Sequence, residues 1–419
     1  MTGTFTFHRR PLLLFAFFFF YTTSFLMAEN ADDDEGECIS SLSITGLKRT
    51  KLSTAERPLR KFIGRQINQV NADEVRAAVM DTRVLEPLSV EIKGQVLSVT
   101  VREKWSIFPV PVFMASSEGI MAGLAFYDAN AFGLSDNFIL AGLYNAGSWT
   151  AAAGYIHSSP EGHIPGWTGV ASFTRDERHD RNQNNKDLRR FKVDAISVIT
   201  GLDFPLLKDT DLLSASVLAS FNDKNIRKSE KTLNAPDEDL RLFGTGTELA
   251  VKKSSWDGYL LSQEAASLRY FYRTAFNGFS FQSVRFRGVW EKSLVPGFRL
   301  NIRTGLVYEP EAPVLFESPP STAQVAILPR DFSARNYTGV SAGLEKYIFK
   351  VSAGTLSVAA AYQAVYSRGS ILGDSLDHGC LGMLSFYLSR LAIPALGMGI
   401  TYNVKKNYLQ GSFAVGMSF

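Results

Sequence analysis

The sequence predicts a mainly β protein: a 16-stranded antiparallel transmembrane β-barrel preceded by one small α+β domain. Three features carry that prediction. The chain opens on an export signal, its C-terminal three-quarters is built of short alternating segments, and the last segment ends on an aromatic residue. Composition agrees. Of 419 residues 45% are hydrophobic, Phe (31) and Gly (33) are abundant, and only 2 are Cys, which suits a bacterial barrel better than a disulfide-stapled secreted domain. A net charge of +3 gives no electrostatic case for a nucleic-acid partner.

At the N-terminus, His8, Arg9 and Arg10 precede the apolar run 11–20 (PLLLFAFFFF), and Ala28 offers a small residue for cleavage. That order is a signal peptide's, over 1–28. As an anchor the run is too short, since a membrane helix needs about 20 apolar residues. Residues 29–37, with Asp32, Asp33, Asp34, Glu35 and Glu37, read as a solvated acidic linker.

Residues 38–105 form the small domain. A strand lies around Ile39–Ile44 and breaks at Gly46, and the stretch 53–56 resembles a capped start for a helix presenting Leu59, Phe62 and Ile63. Asn71 caps a second helix whose stripe is Val75, Ala78, Val79 and Val84-Leu85, with Pro87 as its stop. Alternation in 89–93 and again in 96–103, about the turn Gly94-Gln95, reads as a hairpin. The order is strand, helix, helix, strand, strand.

Residues 106–419 form the barrel. Strands begin near Ile107, Gly119, Asn137, Trp149, Trp167, Phe191, Leu212, Leu240, Ala265, Phe279, Phe298, Gly339, Gly354, Cys380, Leu396 and Tyr408. Short connections such as 393–395 suit one side of a membrane, and long polar ones such as 224–239 and 309–338 suit the other. In the last strand Leu409, Gly411, Phe413, Val415, Met417 and Phe419 share one face, and small or polar residues share the other. That is a strand between lipid and a wet lumen.

On these residues the mature chain resembles the BamA/TamA family of outer-membrane assembly and translocation proteins. The 38–105 unit, with its close Val101-Arg102-Glu103-Lys104-Trp105, is similar to a POTRA domain. The segment Phe126-Tyr127-Asp128-Ala129-Asn130-Ala131-Phe132-Gly133 is similar to the family's second barrel strand and following turn. The resemblance implies a long sixth outer loop folded into the lumen as a lid, tipped by an Arg-Gly-aromatic motif. The best match is Arg330-Asp331-Phe332, in which Asp331 replaces the glycine; Arg335-Asn336-Tyr337 is a second match that also lacks it. Where the family places an acidic partner on the thirteenth strand, this chain has Gln363, so Asp331 or Glu345 supplies the counter-charge or the lid is held loosely. Pro109 and Pro111 fall in the first strand, against which the last strand, with Phe413 and Phe419, closes. Proline donates no ladder hydrogen bond. Either these prolines weaken the seam, or they stiffen the linker below the membrane.

Other motifs are set aside. Gly339-Val340-Ser341-Ala342-Gly343 matches G-x-S-x-G but sits in an alternating strand without the strand-turn-helix context of a hydrolase. His157, His163, His179 and His378 lack metal-ligand spacing. The expected function is assistance to insertion, assembly or translocation of proteins at the cell outer membrane, with the POTRA domain in the periplasm. No catalysis and no cofactor are expected. Partners would be membrane lipid, unfolded outer-membrane protein clients and periplasmic accessory proteins. The alternative is a passive pore or surface structural protein on the same fold.

Overall fold

The computed structural model describes residues 37–415 apart from 117–118, 146–147, 158–164, 182–186, 208–209, 258–259, 330–331 and 389–395. The expected signal peptide and nearly all of the expected acidic linker fall in residues 1–36, outside the described residues.

The N-terminal sheet has the order β1–β3–β2, with β1 (Ser41–Thr45) parallel to β3 (Val96–Glu103) and β2 (Leu85–Lys93) antiparallel to it. Two helices, α1 (Leu52–Glu56) and α2 (Ala72–Asp81), cover one face, and a 3-10 segment (Arg57–Phe62) extends α1. Asn71 caps α2, its side chain accepting from Asp73 N at 2.8 Å. Ile39, Leu59, Phe62, Val75, Ala78, Val79, Val84, Leu85, Leu97, Val99 and Val101 make the core. Burying each large side chain of this set contributes about 1.5–3 kcal/mol.

Three local expectations are corrected. Ile63 is exposed, because the 3-10 geometry of 57–62 turns it off the helical stripe. Pro87 does not stop α2 but lies inside β2, at a register shift where a missing donor costs least. The helix ends five residues earlier than Pro87 suggests: Thr82 Oγ1 donates to Val79 O and accepts from Leu85 N, which closes the turn and starts the strand. Leu85 is therefore a core residue of a strand, not of a helix.

Sixteen strands close into one barrel in which sequence neighbours pair antiparallel and the last meets the first. They are β4 (Ile107–Ser116), β5 (Gly119–Ala131), β6 (Asp136–Asn145), β7 (Ser148–His157), β8 (Gly166–Arg181), β9 (Asp187–Leu207), β10 (Thr210–Arg227) and β11 (Leu240–Asp257). Then come β12 (Leu260–Ala275), β13 (Ser280–Val295), β14 (Phe298–Tyr308), β15 (Asn336–Val351), β16 (Gly354–Arg368), β17 (Ser375–Leu388), β18 (Leu396–Asn403) and β19 (Tyr408–Val415). Each strand start read from the sequence falls on or beside its observed strand. Alternation sorts the faces. Val340, Leu344 and Ile348 of β15 stand exposed outside while Ser341 and Glu345 are buried inside, and Met398, Ile400 and Tyr402 repeat the pattern on β18. An apolar exterior around a polar interior is a barrel immersed in lipid. No helix among the described residues is long and apolar enough to cross a membrane.

The N-terminal unit is fastened to the barrel end where β4 begins. Asp128 of β5 holds Arg49 (2.5 and 3.1 Å), Asn130 holds Thr50 (2.9 Å), and Gly133 O in the β5–β6 turn accepts from Lys51 N (2.9 Å). Gly133 has φ +75°, and a Cβ there would lie 2.3 Å from Arg49 O, so only glycine fits. The segment 126–133, singled out in the sequence, is thus the docking turn. The carboxylate of Glu103 collects the backbone N–H groups of Lys48, Arg49 and Thr50 at 2.7–2.9 Å. Burial opposes its charge, but these hydrogen bonds win and hold the carboxyl below its ordinary value.

A carboxyl depressed in the folded state stabilises at neutral pH, and that contribution is lost as pH falls through the lowered value. Glu103→Gln should therefore weaken the N-terminal unit by about 1 kcal/mol at pH 7. Hydrogen exchange of residues 48–50 in detergent should show faster exchange than wild type at pH 7, with the gap closing in acid.

Candidate functional site

The connection 309–335, between β14 and β15, does not project outward. It folds into the lumen at the barrel end opposite the N-terminal unit, where Ala323, Ile327 and Ala334 are fully buried. Its apolar side chains form one cluster with the wall, in which Val325, Leu328 and Phe332 pack against Val307, Tyr337 and Val365. Leu315 and Ala312 join a second cluster with Phe191, Leu242 and Phe281. Room comes from a glycine pair. Gly305 of β14 lies directly opposite Gly339 of β15, and a Cβ on either would come within 2.5–2.6 Å of Ala323. Gly339, the first glycine of the G-x-S-x-G match, therefore serves packing.

The lid is also held by charge, with an unexpected polarity. Its own ionic contacts are carboxylates, and the wall supplies the cations. Glu317 receives Arg178 of β8 and Arg189 of β9, the latter at 2.9 Å. Glu309, at the lid's base, receives Arg285 of β13 at 2.8 Å and the Ser283 and Ser318 hydroxyls. Asp180 also binds the two arginines at Glu317. Neutral amides complete the hold. Gln324 donates to the Thr304 and Gly288 carbonyls (2.7 and 3.3 Å), and Asn403 of β18 donates to Ile327 O at 3.1 Å.

The residues expected to form the lid contact are placed as follows. Arg330 and Asp331 lie outside the described residues. Phe332 is buried in the lid, its ring edge-on to Tyr337 at 6.3 Å and beneath the Lys406 ammonium at 4.3 Å. Gln363 of β16 does contact the lid: its Oε1 accepts from Ala326 N at 2.9 Å while its Nε2 donates to Ser341 Oγ. An amide can both accept and donate, a combination an ionised carboxylate lacks. Glu345 is engaged elsewhere. It binds the fully buried Arg299 (3.1 Å from Nε), Tyr387 OH (2.8 Å) and Ser357, in a cluster that Glu291 and Arg303 complete. From the second motif, Arg335 stands 4.0 Å from Glu317, and Asn336 accepts from Glu309 N at 3.0 Å.

Sequence reading missed Glu309, Glu317, Arg178 and Arg189. Their signal is weak: charges at alternate strand positions face the lumen only once strand parity is known.

The seam between β4 and β19 is the shortest strand pairing described. Register extends over four pairs, from Gln410 opposite Ser116 to Phe413 opposite Phe113, against ten for β4–β5 and eight for β18–β19. Pro109 and Pro111 lie in β4 opposite Phe126 and Leu124, within an unbroken β4–β5 ladder. A proline cannot occupy a hydrogen-bonded pair, and pair types alternate along an antiparallel ladder. Both prolines must then sit at non-hydrogen-bonded positions toward β5, so their missing donors face β19. Continuing the register would set Val415 opposite Pro111, and pairing stops two residues before that. Phe419 lies outside the described residues.

No family model matches the sequence. No curated protein matches it either. Among solved structures, CdiB from Acinetobacter baumannii aligns with a TM-score of 0.56 and 13% identity, over 92% of this chain and 74% of its own. The chain shares its fold with CdiB. CdiB from Escherichia coli gives a TM-score of 0.53 and 12% identity over 93% of each chain. The crystal structure of BamA from Haemophilus ducreyi lacking POTRA domains 1–3 gives 0.48 and 12%, over 90% of this chain and 84% of its own. With its apolar exterior, this is the barrel of an outer-membrane protein.

Glu317→Gln leaves Arg178 and Arg189 sharing the Asp180 carboxylate and removes the one they share with the lid. Removing one partner of a buried ion pair costs about 3–5 kcal/mol, so the lid should come loose. An Ala323→Cys thiol, in a background without Cys38 and Cys380, should resist maleimide in the otherwise native protein and react once Glu317 is changed. Gly339→Ala should expose it too, by steric displacement.

Proposed function

We propose that this protein assists the insertion or translocation of other proteins at the outer membrane. The observation that carries this reading is the seam: four paired positions, next to a first strand whose prolines withhold donors on the side facing the last strand. A strand edge lacking partners in lipid is costly, and an incoming strand satisfies it by pairing. Resemblance to the BamA/TamA family and the fold shared with CdiB support the same reading.

The N-terminal unit acts as a POTRA domain in the periplasm. Its edge strand β1 pairs on one side only, with β3, and captures an unfolded client by strand addition. A groove beside it, lined by Ser41, Leu42, Glu56, Arg60 and Ile63, receives client side chains. The client then passes to the seam.

Two cysteines across the seam, Phe113→Cys with Phe413→Cys, occupy directly opposed positions, within the 4.4–6.8 Å Cα separation a disulfide spans. Oxidation should abolish delivery of other barrels to the outer membrane, and reduction should restore it. Normal client levels under oxidation, with the crosslink formed, would refute the mechanism. Unchanged client levels on depletion of the protein would refute the function and favour a passive pore.

A further inference from the structure

We propose that the lumen of this barrel conducts small anions along a ladder of arginines on the β12–β14 wall. Facing the lumen are Arg269 and Arg273 on β12, Arg285 and Arg287 on β13, and Arg303 on β14. Their parity follows from Tyr270, Tyr272 and Tyr308, which stand exposed on the lipid face. Arg269 lies directly opposite Arg285 in the β12–β13 register, a juxtaposition that like charges resist.

Three of the five are paired. Glu248 takes Arg269 (2.5 Å), Glu309 takes Arg285 (2.8 Å) and Glu291 takes Arg303 (2.6 Å). The other two leave an excess of positive charge. Arg273 is buried under the lid with its guanidinium carbon 4.4 Å from the Phe271 ring centroid and 4.8 Å from that of Phe316, and its Nε and Nη1 find no hydrogen-bond partner. Arg287 is exposed to the lumen and has no ion-pair partner among the described residues.

The facing wall leaves space. Ala125, Ala141, Ala152 and Ser172 follow one another across β5, β6, β7 and β8 in register, a row of small neutral side chains on the lumen face. An anion would pass between this row and the arginines, exchanging water for Arg287 and then for its neighbours. Charged side chains lining a pore set its ion selectivity in this way. The inference does not rest on the insertion reading, because a permeating anion needs neither the seam nor a client.

The test is the reversal potential of the purified full-length protein in a planar bilayer of uncharged lipid under a KCl gradient. Wild type should favour chloride over potassium. A unit charge about 4 Å from an ion in water changes its local concentration on the order of fivefold, so Arg287→Gln should reduce the permeability ratio by a few-fold. Arg287→Glu should push it toward potassium, and Arg287→Lys should retain it. Lys228→Gln with Lys231→Gln, in the outer β10–β11 connection, should leave it unchanged. A silent bilayer, a cation-selective wild type, or an equal shift from the outer-loop pair would overturn the proposal.

Discussion

Every backbone polar group in a lipid-facing sheet must find a partner within the protein, and the whole molecule is arranged around that demand. Among the described residues, fifteen of the sixteen strand junctions pair eight or more positions, some with a bulge. The sixteenth pairs four positions, and Pro109 and Pro111 of its first strand have no N–H to offer. Strands on either side are well paired to their other neighbours, so weakness is confined to one line along the wall.

The lid packs into the lumen by shape and by charge. Glycines at 305 and 339 admit its backbone close to the wall, and Glu309 and Glu317 meet wall arginines. The glycines leave room for Ala323, and Glu317 adds a lid carboxylate to the Asp180 that Arg178 and Arg189 already share. The lid also reaches β18, through Asn403, and the turn before β19, through Lys406 over Phe332. It therefore touches the structure next to the seam.

What the sequence disclosed follows from what is periodic. Alternation under lipid is strict, so strand number and each strand's place to within about five residues could be read, as could the capped helix at Asn71. The end of α2 could not, because a single hydroxyl at Thr82 closes it and Pro87 misleads. The long connection expected over 309–338 runs over 309–335, because β15 already begins at Asn336, and Gln363 of β16 accepts from Ala326 N within it. The carboxylates that hold it were missed, because which lid residue meets which wall arginine depends on a chain path that no repeat specifies. Glu345 shows the same limit: its partner Arg299 is 46 residues away in sequence.

The N-terminal unit is bolted rather than hinged. Arg49 and Thr50 end on Asp128 and Asn130 of β5 and Lys51 on the β5–β6 turn, Ala129 of the barrel enters the unit's own core, and Glu103 ties off the strand that leads into β4. Such a joint transmits force and does not absorb it. A chain pulled onto the edge of β1 would load the barrel rim two strands from the join, and the unit would behave as a lever whose fulcrum is the Asp128 turn.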